Sequence, residues 1–587
     1  MGYGRAAFHR FAENKRAVED KYMGPLIKTV MNRCIQCTRC VRFATEVAGV
    51  PDLGATGRGE DMEITTYLEK AFGSELSGNI VDLCPVGALT SKPYAFTGRS
   101  WELKHTETID IMDAQGCNTR VDTRGRAVMR ILPRLNDDIN EEWLHDKGRH
   151  IWDGLGRQRL DRPYVRKNGK LQPASWQDAF AAIAARVKAT APERMAAIVG
   201  DLAAAEEIKA LKDLMTRLGV VNLDCRQDGA KIGGPRQTYL FNTTITGVEA
   251  ADALLLIGSN PRWEAPVLNA RIRKSWINGA LKIASVGAAV DLTYPAEQLG
   301  SDVAVLDALA DGSHPFAEVL RSAKRPMLIL GMGALARRDG AAILHRAVRI
   351  ALETGMIGPA GTPAQGGWIG FNLLHTAASR VAALDLGFVP GENGRDVAGI
   401  VEGAQKGEID FIYLLGADEL PLENMGRPFV VYQGSHGDVG ANYADVVLPG
   451  AAFTEKDGLF ANFEGRVQEA QRATFPPGEA KEDWAILRAL SEVLGQALPY
   501  DSLDGLRRAL EQEAPQFGRI GELPRYEGAD PTVWNALGSE GPLDIDVLLA
   551  AAISDYYLTN PIARASRVMA DCSRILLHGG DQKVAAE

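Results

Sequence analysis

Cys34-Ile35-Gln36-Cys37-Thr38-Arg39-Cys40 is followed, beyond residues 41–83, by Cys84-Pro85. Three thiols at two-residue gaps wrap one corner of an iron-sulfur cube, and the remote Cys-Pro closes the fourth. The pattern predicts one 4Fe-4S cluster on Cys34, Cys37, Cys40 and Cys84. Zinc also takes four cysteines, but usually as paired C-x2-C units rather than a triple run with a distant Cys-Pro. A disulfide framework fits worse, because the chain has only seven cysteines in 587 residues and two-residue gaps recur in metal and redox sites.

The flanks narrow the reading. Met31-Asn32-Arg33 precede the run and Val41-Arg42-Phe43 follow it. Then come Gly54-Ala55-Thr56-Gly57-Arg58-Gly59, Glu75-Leu76-Ser77-Gly78-Asn79 and Cys84-Pro85-Val86-Gly87-Ala88-Leu89-Thr90-Ser91-Lys92. Across residues 9–165 the sequence resembles the large iron-sulfur (75 kDa-type, or G) subunits of respiratory NADH-quinone oxidoreductase, complex I, in the form shared by alphaproteobacterial and mitochondrial complexes. The resemblance thins beyond that but continues to the C-terminus. It implies an electron-transfer subunit between NADH and quinone, partnered by the NADH/FMN-binding subunit and the quinone-side connecting subunits. It also implies a peripheral place on the cytoplasmic face of the inner or plasma membrane, or on the matrix side if mitochondrial.

Composition is ordinary for a multidomain protein with sizeable cores, at 46% hydrophobic and 24% charged residues. A net charge of -10 and a pI near 5.6 give a nucleic-acid footprint no overall support. Few cysteines outside the metal motif point to a reducing compartment. Residues 1–15 are polar and basic, without the apolar core of a signal peptide. Apolar runs such as 253–257 and 326–330 are far short of the roughly 20 residues that span a bilayer.

The expected fold is α/β and multidomain: a 4Fe-4S cluster domain over 1–100, ferredoxin-like and truncated at its N-terminus, then a degenerate 4Fe-4S domain over 101–165. A molybdopterin-oxidoreductase-like α/β body over 166–535 and the family's C-terminal domain over 536–587 complete it. Arg33, Arg39, Arg42 and Arg58 crowd the cysteines. Such charge favours an added electron, unless the arginines pair with Glu46, Glu60 and Asp61.

In the second segment many relatives, and the molybdopterin oxidoreductases they resemble, carry C-x2-C-x3-C-x27-C. Here that register holds Asp110, Asp113, Cys117 and His145. Two hard carboxylates suit a sulfide-bridged cube poorly, so the site reads as vestigial, and only the family register speaks for zinc there. Residues 121–131 alternate around Arg124-Gly125, a hairpin signal.

From about Ser175, apolar runs at 196–199, 253–257, 282–286, 327–330, 411–415 and 429–432 alternate with helix-like stretches at 203–218, 266–276 and 341–353. Such alternation predicts parallel α/β layers. The region resembles formate dehydrogenases and other molybdopterin enzymes. Gly258-Ser259-Asn260-Pro261 sits where their pterin-contacting loops do. Asp445-Val446-Val447-Leu448-Pro449, Glu455 and Asn462-Phe463-Glu464-Gly465-Arg466-Val467-Gln468 match another signature. Activity does not follow from fold.

Aligned on Asn222-Leu223-Asp224, the molybdenum-ligand position reads Ala230, with Cys225 a small packed residue, so no molybdenum is expected. Gly331-Met332-Gly333-Ala334-Leu335-Ala336 matches a dinucleotide loop, but the acid some 20 residues on, Glu353, closes a helical stretch. In the resembled complex NADH is oxidised on another chain. No catalytic triad is claimed, and His345 and His375 read as surface or core.

Residues 543–569 resemble the family's C-terminal domain and suggest an amphipathic helix carrying Tyr556 and Tyr557, packed internally or against a partner. Residues 583–587 read as a frayed tail.

The family also places a 2Fe-2S domain and an H-x3-C-x2-C-x5-C site ahead of the residues that open this chain. Either Met1 is an internal methionine or the chain is a real truncation; the expectation is the first, an in-frame upstream segment, with the 2Fe-2S and second 4Fe-4S clusters present only if that segment is. The alternatives are a free-standing molybdopterin oxidoreductase and a non-redox structural protein whose cluster only staples a fold.

Overall fold

The structure, a computed structural model, describes residues 18–66, 70–279, 281–357, 368–524 and 531–579. The residues that open the chain and the 583–587 tail lie outside these.

The apolar runs form two parallel sheets. Every side chain of Met195–Val199, Ala253–Ile257 and Phe411–Leu415 is buried. A strand covered on both faces by helices reads as a continuous apolar run for that reason. The first sheet runs Asn222–Asp224, Met195–Val199, Phe411–Leu415, Phe429–Gly434 and Val446–Pro449, all parallel. An antiparallel hairpin, Tyr164–Lys167 with Lys170–Pro173, extends its edge.

The second sheet is parallel throughout, in the order Glu297–Gly300, Lys282–Val286, Ala253–Ile257, Pro326–Gly331 and Phe371–Leu374. The chain therefore leaves the first sheet after Asp224, builds the second, and returns at Phe411. Sequence periodicity found the strands but not this division, because alternation does not say which strands share a sheet. The helices Ala205–Arg217, Pro266–Ile277 and Gly340–Glu353 stand where the helical stretches were expected.

Ahead of the body, Lys104–Ile109, Asn118–Arg124 and Ala127–Pro133 form an antiparallel sheet. Its second turn is the expected hairpin, with Gly125 at φ 60°, a left-handed conformation that glycine adopts without strain.

The C-terminal segment departs from expectation. Tyr556 and Tyr557 are not on a helix; they precede the helices Pro561–Ala565 and Arg567–Cys572. Both are buried, in one apolar core with Ile27, Phe43 and Ile80 from the start of the chain. Just before them, residues 549–552 cross the carboxyl end of the second sheet. Ala288 N–H donates to the Leu549 carbonyl at 2.7 Å, and a Cβ on Gly333 would collide with the Ala550 carbonyl. The dinucleotide-like loop is thus covered by the chain's own backbone.

Gly333→Ala is expected to lift this segment and raise its protease sensitivity, mapped by limited proteolysis and mass spectrometry. Gly233→Ala, whose added Cβ would meet open space, is expected to leave the cleavage pattern unchanged.

Candidate metal centre

Two short strands bring the cysteines together. Ile27–Thr29 pairs antiparallel with Leu89–Ser91, so the chain running into Cys34 lies beside the chain running out of Cys84. Val30 N–H donates to the Ala88 carbonyl at 2.8 Å, and Cys34 N–H to that of Met31 at 3.0 Å. Between the cysteines, Gln36 and Thr38 have φ of 49° and 59°. These left-handed residues curl the loop before the turn Arg39–Arg42 presents Cys40. Cys84 ends the helix Asn79–Leu83, and Pro85, without an N–H, prevents its continuation.

Cys34, Cys37, Cys40 and Cys84 all line one small cavity, whose other walls include Met31, Ile64 and Leu89. Cys37 is exposed and the other three are half-buried. Gln36 N–H points at Cys34 Sγ, 3.4 Å away. Burial pushes the Cys40 thiol up to about 11, and Cys34, Cys37 and Cys84 push the same way. Four thiolates facing one cavity repel one another unless cations lie between them, and an iron cluster supplies those cations. The donor set fits a 4Fe-4S cluster. Of the arginines, Arg39 lines the cavity, whereas Arg42 is taken up by Glu46 at 3.1 Å.

The second register also converges. Asp110, Asp113 and Cys117 lie on the connection from Ile109 to Asn118, and His145 caps the helix Asp146–His150. All four are buried. His145 Nε2 is 2.7 Å from Asp110 Oδ2 and 3.3 Å from Asp113 Oδ2.

The other ring nitrogen, Nδ1, accepts the Gly148 N–H at 3.1 Å and lies 3.1 Å from the Tyr556 hydroxyl. The ring hydrogen is therefore on Nε2, between the carboxylates. Burial works against a charged imidazole, but Asp110 and Asp113 hold His145 above its ordinary value. Burial drives the Cys117 thiol far up. With one protonated sulfur and two carboxylates, these residues do not fit a second iron-sulfur cube.

Four family models match the chain. They are NADH-quinone oxidoreductase subunit 3, ferredoxin-like domain, over residues 24–90; NADH-ubiquinone oxidoreductase NDSU1/NuoG-like, 4Fe-4S domain, over 103–153; Molybdopterin oxidoreductase over 159–493; and the C-terminal part of the NADH-ubiquinone oxidoreductase G subunit over 535–572. The NADH-ubiquinone oxidoreductase 75 kDa subunit of Reclinomonas americana is 47% identical over 581 residues, covering 96% of this chain and 82% of the relative. The NADH-quinone oxidoreductase G subunit of Rickettsia bellii is 47% identical over 572 residues, covering 97% and 80%. The chain belongs to the 75 kDa/NuoG family of NADH-quinone oxidoreductase subunits. Among solved structures, acetylene hydratase from Pelobacter acetylenicus superposes with a TM-score of 0.48 at 13% identity, covering 72% of this chain and 76% of that one.

In this member of the NuoG family the pterin-like signatures are used internally. Glu455 grips Arg159 through both oxygens, at 2.5 and 2.6 Å. Glu464 accepts from Ile245 N–H at 3.0 Å and pairs with Arg466 at 2.9 Å. Ala230 and Cys225 are both buried, and burial pushes the Cys225 thiol up to about 12. His375 is a core residue, its Nε2 donating to the Tyr239 carbonyl at 2.6 Å.

A cavity does lie where strands of both sheets end. Asp113, Lys147, Asp201, Asp228, Arg380 and Glu419 face it, and residues 552–560 close one side. More carboxylates than cations line it, which disfavours the phosphates of a pterin dinucleotide. Sequence reading missed the buried ion cluster in which Lys456 meets Glu207 at 2.5 Å and Asp483 at 2.7 Å. Three positions so far apart carry no local signal.

Because no thiolate of a cluster is assigned to Cys117, Cys117→Ser is expected to leave iron per chain unchanged. Loss of about half the iron, by elemental analysis, would contradict that assignment.

Proposed function

We propose that this chain passes electrons one at a time through a single 4Fe-4S cluster held by Cys34, Cys37, Cys40 and Cys84, as an electron-transfer subunit of NADH-quinone oxidoreductase. The observation that carries this reading is the gathering of those four sulfurs around one cavity. When bound, such a cluster takes up and returns one electron with little movement of its ligands.

The residues around it have distinct tasks. The left-handed Gln36 and Thr38 shape the loop, and Gln36 N–H steadies the Cys34 sulfur. Arg39 adds positive charge at the cavity wall, which favours the reduced state. Exposed Cys37, with Ile35 at 57% exposure beside it, leaves one edge of the site open toward a neighbouring redox centre. The α/β body serves as scaffold, without molybdenum, since alanine stands at the ligand position and the chain covers its own Gly331-Met332-Gly333 loop.

Partners in this reading are the NADH/FMN-binding subunit and the subunits leading to quinone. Attachment to the membrane is through those partners; among the described residues no helix is long and apolar enough to cross it.

Cys37→Ser tests the assignment. Iron in the assembled complex should fall by about four per chain, and the reduced electron paramagnetic resonance spectrum should lose one 4Fe-4S signal. Unchanged iron and spectrum would refute the ligand set.

A further inference from the structure

Asp110, Asp113 and His145 offer three ligand atoms that all lie within 4.8 Å of one another, with every residue buried. The single hydrogen on His145 Nε2 goes to Asp110 Oδ2 at 2.7 Å. Asp113 Oδ2, 3.3 Å from the same nitrogen, has no hydrogen-bond donor, and its side chain is only 3% exposed. A buried carboxylate oxygen that accepts no hydrogen bond is costly. It stands beside the other two ligand atoms of the trio.

The spacing suits a small metal ion. Tetrahedral zinc, with bonds of about 2.0 Å to nitrogen and oxygen, sets neighbouring ligand atoms about 3.3 Å apart. Asp113 Oδ2 and His145 Nε2 already stand at that separation. The shorter Asp110 contact opens by about half an ångström once the bridging hydrogen is replaced by a metal.

We propose that Asp110, Asp113 and His145 bind one zinc-class divalent cation in this chain. An imidazole nitrogen with two carboxylates favours such an ion over calcium or magnesium, which prefer oxygen-only shells. Two carboxylates and a neutral imidazole offset the charge of a divalent cation, while the Lys147 ammonium beside them is held by Thr559 Oγ1 and the Tyr556 ring. The fourth position is left for water from the adjoining cavity, which Asp113 borders. Cys117 lies outside the trio, so the metal carries no sulfur.

Binding shifts the imidazole tautomer through exchange with solvent. The hydrogen leaves Nε2 for Nδ1, where it faces the Tyr556 hydroxyl at 3.1 Å. The ring stays neutral, and the Gly148 capping contact is given up. One capping bond is a small loss against a metal–nitrogen bond.

The test uses the purified full chain with its iron in place, incubated with Zn²⁺, dialysed, and measured for zinc and iron by elemental analysis. X-ray absorption at the zinc edge reports the neighbours. About one zinc per chain is expected, with only nitrogen and oxygen neighbours near 2.0 Å. In Asp113→Asn and His145→Asn, zinc should fall below about a tenth per chain while iron stays constant. No zinc in the unaltered chain, zinc retained in both variants, or sulfur neighbours would overturn the proposal. The absorption spectrum of the unaltered chain decides the matter even if the variants misfold.

Discussion

Four sulfurs facing one small cavity impose the constraint around which the described residues ahead of Lys104 are arranged. Thiolates brought that close repel one another, and burial together with the neighbouring cysteines pushes Cys40 up to about 11. Such an arrangement persists only where the backbone over-determines it and a metal cluster neutralises it. Two three-residue strands hold the remote ends together, two left-handed residues curl the loop, and a proline stops the helix at Cys84. None of these elements buries much surface by itself. Their stability comes from the apolar core behind them, where Ile27, Phe43 and Ile80 meet Tyr556 and Tyr557.

That shared core gives the C-terminal segment its meaning. Residues 549–552 occupy the mouth of the second sheet, where α/β folds ordinarily receive ligands. The following residues fill the space beside His145 and Lys147, with Lys147 Nζ 2.9 Å from Thr559 Oγ1 and 5.1 Å from the centre of the Tyr556 ring. A glycine-rich loop of the kind that makes room for a cofactor here makes room for peptide. The last part of the chain thereby ties the cluster region to the body.

The second register shows how a site can keep its spacing while its chemistry differs. His145 is at once a helix cap and a partner of two carboxylates. The spacing arranges two carboxylates and an imidazole here, donors that suit a sulfide cube poorly but lie close enough for a single ion.

Local chemistry is legible along the chain. The spacing of Cys34, Cys37, Cys40 and Cys84 pointed to four sulfurs that the fold gathers around one cavity, because residues that share a site at short intervals leave those intervals in the sequence. Apolar runs such as 253–257 and 411–415 marked buried parallel strands, and Arg124-Gly125 marked a hairpin, for the same reason. Folding alone decided which strands share a sheet, where Tyr556 and Tyr557 go, and that Lys456 joins Glu207 and Asp483. These depend on contacts between residues far apart in the chain, which periodicity does not encode. The convergence of Asp110, Asp113 and His145 lies between the two: family register hinted at it, but only the packed fold set the distances that decide what the three side chains can hold.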